Sequence, residues 1–175
     1  MKATFAKYIL QFRRPGGTSR GVLTKKETYF ICLKEGVRWG IGETGLFRGL
    51  SADDVPNYDA VLAGACEALE NQGESAIERY RNFPSIVFGL EQALRSMKSQ
   101  TPFELFPSRF LKGDPIPING LIWMGDQGYM KAQVREKVEQ GFRCLKLKIG
   151  ALDFTTELDM LKALREEFSE DSIEI

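Results

Sequence analysis

The 175-residue sequence contains no histidine and only three cysteines. Cys32, Cys66 and Cys144 lie far apart, and no Cys-x-x-Cys spacing occurs. We therefore expect no zinc site built from cysteine and histidine. Because the chain has no histidine, it cannot by itself perform catalysis that requires one. Any metal would need oxygen ligands, which favours magnesium or manganese.

The sequence also lacks an excess of either charge, since Lys+Arg and Asp+Glu both number 24. We expect no general attraction to nucleic acid or to anionic membranes. No apolar run approaches the thickness of a bilayer, and the N-terminus is not typical of a signal peptide. A content of 43% hydrophobic residues allows a packed core. Together these features predict a protein of a reducing, cytoplasmic compartment.

The first fifty residues have a composition typical of β-strands and contain turn residues at two places. We expect strands over residues 2–14, 26–34 and 37–43. Pro15-Gly-Gly-Thr-Ser-Arg20 predicts a long first loop, and Glu35-Gly36 predicts a tight turn. The prediction is a three-stranded antiparallel meander.

A helical period follows from about residue 54 to residue 98. Asp53 or Asp54 can cap the first helix, with Pro56 near its start. Two apolar stripes at helical spacing predict core-facing helices. Their members are Tyr58, Leu62, Ala65, Leu69, Ile86, Leu90, Ala93, Leu94 and Met97.

Residues 101–117 hold four of the seven prolines and predict a domain boundary. Beyond them, strand and helix patterns alternate as β-α-β-α-β. The helices are expected over residues 127–140 and 155–168, and the last strand begins at Ser172. Short links between such elements predict parallel strands with helices outside them.

The middle strand, Phe142-Arg-Cys-Leu-Lys-Leu-Lys-Ile149, carries two lysines on one face. Lys146 and Lys148 point one way, and Leu145, Leu147 and Ile149 point the other. Because both faces of a parallel sheet are usually covered, we expect the lysine face to be buried. Each buried ammonium disfavours charge on the other, and a neutral lysine can act as a general base. The alternative is that the pair decorates the wet face of an antiparallel sheet.

Four stretches, in this order, resemble the o-succinylbenzoate synthases of the muconate-lactonising subgroup of the enolase superfamily. Pro15-Gly-Gly-Thr-Ser-Arg-Gly21 resembles the mobile loop of the capping domain. Trp39-Gly-Ile-Gly-Glu-Thr-Gly-Leu-Phe-Arg-Gly-Leu-Ser51 resembles the strand and turn that leave the meander. Phe83-Pro-Ser-Ile-Val-Phe-Gly-Leu-Glu-Gln-Ala-Leu94 resembles a capping-domain helix. Cys144-Leu-Lys-Leu-Lys-Ile-Gly150 resembles the catalytic strand.

The resemblance implies a fold and roles for three residues. Residues 1–112 would form an α+β capping domain, and residues 113–175 would form the start of a TIM (β/α) barrel. Lys148 would remove the proton α to a substrate carboxylate, and Lys146 would give electrostatic support. Arg20, on the mobile loop, would help to shape the substrate pocket. The reaction implied is a magnesium-dependent dehydration in menaquinone biosynthesis.

A complete barrel needs roughly 250 residues, so we expect this chain to be the N-terminal portion of a longer enzyme. The metal ligands would lie beyond Ile175, and Mg²⁺ or Mn²⁺ would bind only the full-length enzyme. The portion alone is expected to be inactive and prone to self-association. The partner would be a small carboxylate, not nucleic acid or membrane. Two alternatives stay open: an N-acylamino acid racemase or dipeptide epimerase with the same lysines, and a non-catalytic anion-binding α+β module.

Overall fold

The computed structural model describes residues 1–18, 21–150 and 153–175. The first three elements form a three-stranded antiparallel sheet in the order β1-β2-β3, as predicted. They are β1 (Lys2–Thr18), β2 (Gly21–Glu35) and β3 (Arg38–Thr44). Glu35 pairs with Arg38 across the turn, and Gly36 there has a φ of +61°, which glycine adopts without strain.

The predicted long loop at Pro15 is wrong in its bounds, because β1 continues through this segment to Thr18. β1 lies at the edge of the sheet. An edge strand tolerates proline, since the missing N–H can face away from the neighbouring strand. Pro15 to Thr18 therefore lie within the strand, and Ser19 and Arg20 lie outside the described residues.

Helices cover one side of this sheet and supply most of its core. They are α1 (Tyr58–Gln72), a 3₁₀ helix (Glu74–Tyr80), α2 (Pro84–Lys98) and a second 3₁₀ helix (Phe110–Lys112). The two predicted apolar stripes on α1 and α2 are buried, as expected. They pack with Tyr29, Ile31 and Leu33 of β2 in one apolar cluster.

The predicted cap of the first helix is wrong. Asn57 precedes α1 and makes no side-chain cap hydrogen bond. Asp53 instead accepts hydrogen bonds from the backbone N–H and the hydroxyl of Ser85, in the first turn of α2. Asp54 accepts from the Gly49 N–H and pairs with Arg48. Asp53 contacts a residue distant in sequence, and Asp54 contacts residues of the preceding loop. The spacing of residues in the sequence does not predict either contact.

The later elements form a small parallel sheet covered by two helices. They are β4 (Gly120–Ile122), α3 (Gln127–Glu139), β5 (Leu145–Leu147) and α4 (Phe154–Glu167). β4 pairs with β5 in parallel, and Cys144 forms one further parallel bridge with Glu174. The predicted alternation and parallel pairing are present. The third predicted strand is reduced to this bridge, and β5 is shorter than predicted because it pairs only along the three residues of β4.

The core of this second sheet is a separate apolar cluster between the strands and the two helices. Its buried members are Ile122, Met130, Val134, Leu145, Met160, Leu164 and Ile173. Asp126 caps α3 and Asp153 caps α4, each through a hydrogen bond from a backbone N–H three residues later. The caps fix where each helix begins after its strand.

The chain divides into two compact units. The first comprises Met1–Gln11 with Lys25–Asp114, and the second comprises Phe12–Thr24 with Pro115–Ile175. The domain division between Lys112 and Gly113 stays a prediction. Within the described residues, no helix is both long enough and apolar enough to cross a membrane.

Candidate active-site face

The β4–β5 sheet presents one apolar face and one face that carries the two lysines. Leu145 is buried and Leu147 is half-buried against the helices, whereas Lys146 and Lys148 lie on the opposite, exposed face. The predicted alternation is confirmed for Leu145, Lys146 and Leu147, which form β5, and Lys148 follows the strand and is exposed. Ile149 was placed with the leucines, but it is 64% exposed, since it lies beyond the end of β5 where strand alternation no longer applies.

The expectation that the lysine face is buried is wrong for this chain. The strands are parallel, as predicted, yet both lysines are exposed. The helices α3 and α4 contribute their buried side chains to the cluster on the leucine side only. Burial of a parallel sheet on both sides requires a layer on each face. In the residues that the structure describes, the lysine face is exposed.

Lys148 has an aromatic neighbour on this face. Its Nζ lies 5.6 Å from the centre of the Trp123 ring, a distance at which the electron-rich ring face attracts a cation. Trp123 directly follows β4 and is 46% exposed. In the sequence, Trp123 lies in the largely apolar stretch of residues 116–124 and has no feature of its own that marks it as a site residue. Its position at the carboxyl end of a strand, next to the lysine strand, was the signal that could have identified it.

The backbone of Trp123 is held by a side chain of α3. The Trp123 N–H donates to Oε1 of Gln133 at 2.9 Å, and Nε2 of Gln133 donates to the Trp123 carbonyl at 3.0 Å. This pair reproduces the two hydrogen bonds that a neighbouring strand residue would make. The turn after β4 is thus fixed by the helix that follows it.

The turn after β5 is held in a similar way by α4. The Gly150 N–H donates to both carboxylate oxygens of Glu157, at 2.7 and 2.9 Å. Glu157 is only 7% exposed. Gly150 has a φ of +97°, in the region that L side chains rarely adopt. A buried carboxylate therefore fixes the backbone two residues beyond Lys148.

The two lysines make no salt bridge with any residue that the structure describes. Two neighbouring ammonium groups without a carboxylate partner can bind an anion such as a substrate carboxylate. Arg20, the third predicted site residue, lies outside the described residues. Its predicted role therefore stays a prediction.

The family resemblance implies a magnesium ion in the full-length enzyme. A site for Mg²⁺ uses carboxylate oxygens brought close together. Across residues 1–18, 21–150 and 153–175, no group of three Asp, Glu or Cys side chains lies close enough to hold a metal ion. The residues present do not fit a magnesium site.

The acidic residues of the first unit serve structural contacts instead. Glu43 accepts hydrogen bonds from the Thr28 hydroxyl at 2.6 Å and from Lys26 at 3.3 Å. The Thr28 hydrogen bond is the main reason that the pKa of Glu43 lies below its usual value, and Lys26 lowers it further. Trp39 packs edge-on against Phe103, with ring centres 5.8 Å apart. Glu43 and Trp39 thus both make contacts within the first unit.

Comparison with known proteins finds relatives that are o-succinylbenzoate synthases. No protein-family model matches the chain. The o-succinylbenzoate synthase of Desulfotalea psychrophila (strain LSv54 / DSM 12343) is 36% identical over 210 residues, which cover all of this chain and 56% of that protein. The crystal structure of MenC from Desulfotalea psychrophila LSv54 matches with a TM-score of 0.81 and 31% identity, covering 100% of this chain and 55% of that one.

A more distant structure shares the fold. The o-succinylbenzoate synthase of Thermosynechococcus elongatus BP-1, solved with magnesium in its active site, matches with a TM-score of 0.72. The identity is 20%, and the match covers 95% of this chain and 48% of that chain. The chain thus spans about half the length of the relatives that it matches.

Proposed function

Because the chain is related over its whole length to o-succinylbenzoate synthase of the enolase superfamily, as its motifs indicated, we propose that it is the N-terminal part of such a lyase. In this proposal, residues 113–175 begin a β/α barrel, and the enzyme acts in menaquinone biosynthesis in the cytoplasm. The observation that carries the proposal is the pair Lys146 and Lys148, side by side at the carboxyl end of a parallel strand. That is the end at which β/α barrels place their catalytic groups.

The proposed base is Lys148. Its neutral amine accepts the proton α to the substrate carboxylate, so the C–H bond breaks and its electron pair remains on the substrate. The electron pair then forms a carbon–carbon double bond as the C–O bond to the β-hydroxyl breaks, and the proton held by Lys148 passes to the leaving hydroxyl, so that one water is lost. Lys146 lies on the same face and places positive charge beside the carboxylate, where negative charge develops. Arg20 is proposed to help to shape the substrate pocket.

The metal of the proposed enzyme is assigned to residues outside this chain. The described residues do not fit a magnesium site. The Mg²⁺ or Mn²⁺ expected from the resemblance would therefore be held by carboxylates beyond Ile175.

The chain alone is proposed to be inactive. Its two lysines face solvent, and catalytic electrostatics require a site from which water is excluded. The open edges of the β4–β5 sheet and its uncovered face favour self-association. A second copy, or the remainder of the barrel, would cover them.

The decisive experiment compares Lys148→Ala with the wild type in an intact enzyme that carries these 175 residues. We expect magnesium-dependent conversion of the cyclohexadiene carboxylate substrate to o-succinylbenzoate, lowered about 10²- to 10⁴-fold by Lys148→Ala. Lys162→Ala is the matched control, because Lys162 is exposed on α4. Unchanged turnover in Lys148→Ala would show that Lys148 is not the base. Dehydratase activity of the 175 residues alone would contradict the proposed inactivity.

A second candidate function is supported by the unpaired lysines themselves. Two exposed ammonium groups without a described carboxylate partner also suit a non-catalytic anion site. In that case the chain alone would bind a small dicarboxylate through Lys146 and Lys148. A longer protein that contains the chain would then have no catalytic activity.

An N-acylamino acid racemase or dipeptide epimerase would keep the same lysines. Exchange of the α-proton without loss of water would identify that reaction.

A further inference from the structure

Each of the two turns that follow β4 and β5 is held by one polar side chain of the next helix. Gln133 of α3 binds both backbone groups of Trp123. Glu157 of α4 binds the N–H of Gly150 with both of its oxygens. We call these contacts the Gln133 clamp and the Glu157 clamp. Both act at the carboxyl end of a strand, on the segments from which Trp123 and Lys148 project.

In the Glu157 clamp, a buried carboxylate binds a backbone N–H. Burying a charged group is unfavourable unless hydrogen bonds compensate for the lost water. At Glu157 part of that compensation comes from a backbone N–H shared between its two oxygens. The N-terminal end of α4, where Glu157 lies, also favours negative charge. The arrangement needs Gly150 in its left-handed conformation, which points the N–H at the carboxylate.

The two segments that the clamps hold come together where Lys148 contacts the Trp123 ring. The last paired residues of the sheet are Ile122 and Leu147. Trp123 and Lys148 are the next residue on each strand, and they contact each other through the ring and the ammonium. Side chains beyond a strand end are positioned by the turn that follows. The clamps therefore determine how the ring and the amine face each other.

We infer that Gln133 and Glu157 are positioning residues that set the Trp123–Lys148 pair for proton abstraction. The inference rests on the proposed function, and it adds two residues that act through Lys148 without touching the substrate. Trp123 is the aromatic surface that fixes the direction of the amine. Proton transfer requires hydrogen-bond reach between the amine and the reacting carbon's proton. A displacement of about 1 Å can lower a rate roughly 100-fold.

The first test is the kinetics of Glu157→Ala in the intact enzyme. We expect kcat to fall roughly 10- to 100-fold with KM changed little, since the clamp acts on the base and not on binding. Glu157→Gln, which keeps one oxygen acceptor, is expected to recover part of the loss. Glu167→Ala is the control, because Glu167 is an exposed carboxylate on the same helix, paired with Arg135. A purely structural role would lower stability without this kcat change or its partial recovery.

The second test is independent of turnover and uses the intact enzyme with ¹³C-labelled lysine. The Trp123 ring current shifts the ε-CH₂ signal of Lys148, and Trp123→Leu removes that shift. Gln133→Ala and Glu157→Gln are expected to move the signal toward the Trp123→Leu position. Gln140→Ala, on an exposed residue just past α3, leaves it in place. An unchanged signal in both clamp variants would overturn the inference.

The two proposals fail in different ways. If Lys148→Ala turns over substrate normally, the proposed function is wrong. If Lys148→Ala is inactive while Glu157→Ala and Gln133→Ala keep wild-type kcat, only the positioning role is wrong. Loss of kcat in the clamp variants together with loss of the ring-current shift supports both.

Discussion

Asp53 and Ser85 are 32 residues apart in sequence and joined by two hydrogen bonds in the fold. Oδ2 of Asp53 accepts from the Ser85 backbone N–H at 2.8 Å and from its hydroxyl at 2.5 Å. Asp53 is buried, and the Ser85 hydroxyl also contacts the Tyr58 hydroxyl. A residue from the loop before α1 therefore does for α2 what an N-cap side chain would do locally.

The first prediction concerns this tertiary cap. We expect Asp53→Ala to lower the free energy of unfolding by about 1–3 kcal/mol, because a helix N–H and a partly buried hydroxyl lose their acceptor. Asp53→Asn keeps one oxygen and should lose less. Urea denaturation followed by circular dichroism measures the difference. Asp171→Ala, on an exposed residue, is the control, and an equal effect of both alanine variants would contradict the cap role.

The second prediction explains the glycines of Trp39-Gly-Ile-Gly-Glu43. A Cβ on Gly42 would lie 1.9 Å from the Gly89 carbonyl oxygen, and one on Gly40 would lie 2.2 Å from that of Ala93. These two glycines face α2 along one side of β3 and let the helix backbone rest on the strand. We expect Gly42→Ala to destabilise the chain by about 3 kcal/mol or more, since neither backbone can move away freely.

The matched control for Gly42 is Gly64 on α1. A Cβ there would meet only the Tyr80 hydroxyl, at 3.4 Å. Because alanine favours a helix over glycine by about 1 kcal/mol, Gly64→Ala should leave stability unchanged or raise it. Thermal unfolding of both variants tests the comparison. Equal stability of the two variants would show that the close approach of β3 and α2 is not required.

The third prediction is a loss of stability at alkaline pH through Tyr29. Burial, and then the hydrogen bond to Asp59, raise the pKa of Tyr29 from 10.0 to about 12. Between these two values the unfolded chain releases the phenol proton while the folded chain keeps it, so stability falls as pH rises. Below pH 10 the contribution is fully present.

Denaturation midpoints measured across this alkaline range test the assignment. Tyr29→Phe should flatten the decline, because it removes the titrating group but keeps the ring. A smaller decline should remain, since burial also raises the pKa of Tyr58. Phenolate absorbance of the folded chain gives an independent reading of the Tyr29 pKa. An identical pH profile for Tyr29→Phe and the wild type would show that Tyr29 does not cause the decline.

The local pattern of residues in the sequence determined much of the secondary structure of this protein. The helical stripes on α1 and α2, the turn at Gly36 and the alternation of Leu145, Lys146, Leu147 and Lys148 follow from periodicity and from glycine chemistry, which depend only on near neighbours in sequence. The order of strands and helices also implied the parallel pairing of β4 with β5. The family resemblance followed from the same motifs.

Tertiary structure alone decided the rest. Whether the lysine face is buried depends on a layer that packs against it, and alternation within β5 carries no information about that layer. The partner of Asp53, the contact of Trp123 with Lys148 and the clamp by Glu157 join residues from separate elements. Local periodicity determines which side of a strand or helix a residue occupies, whereas its neighbours are set by how elements pack in three dimensions.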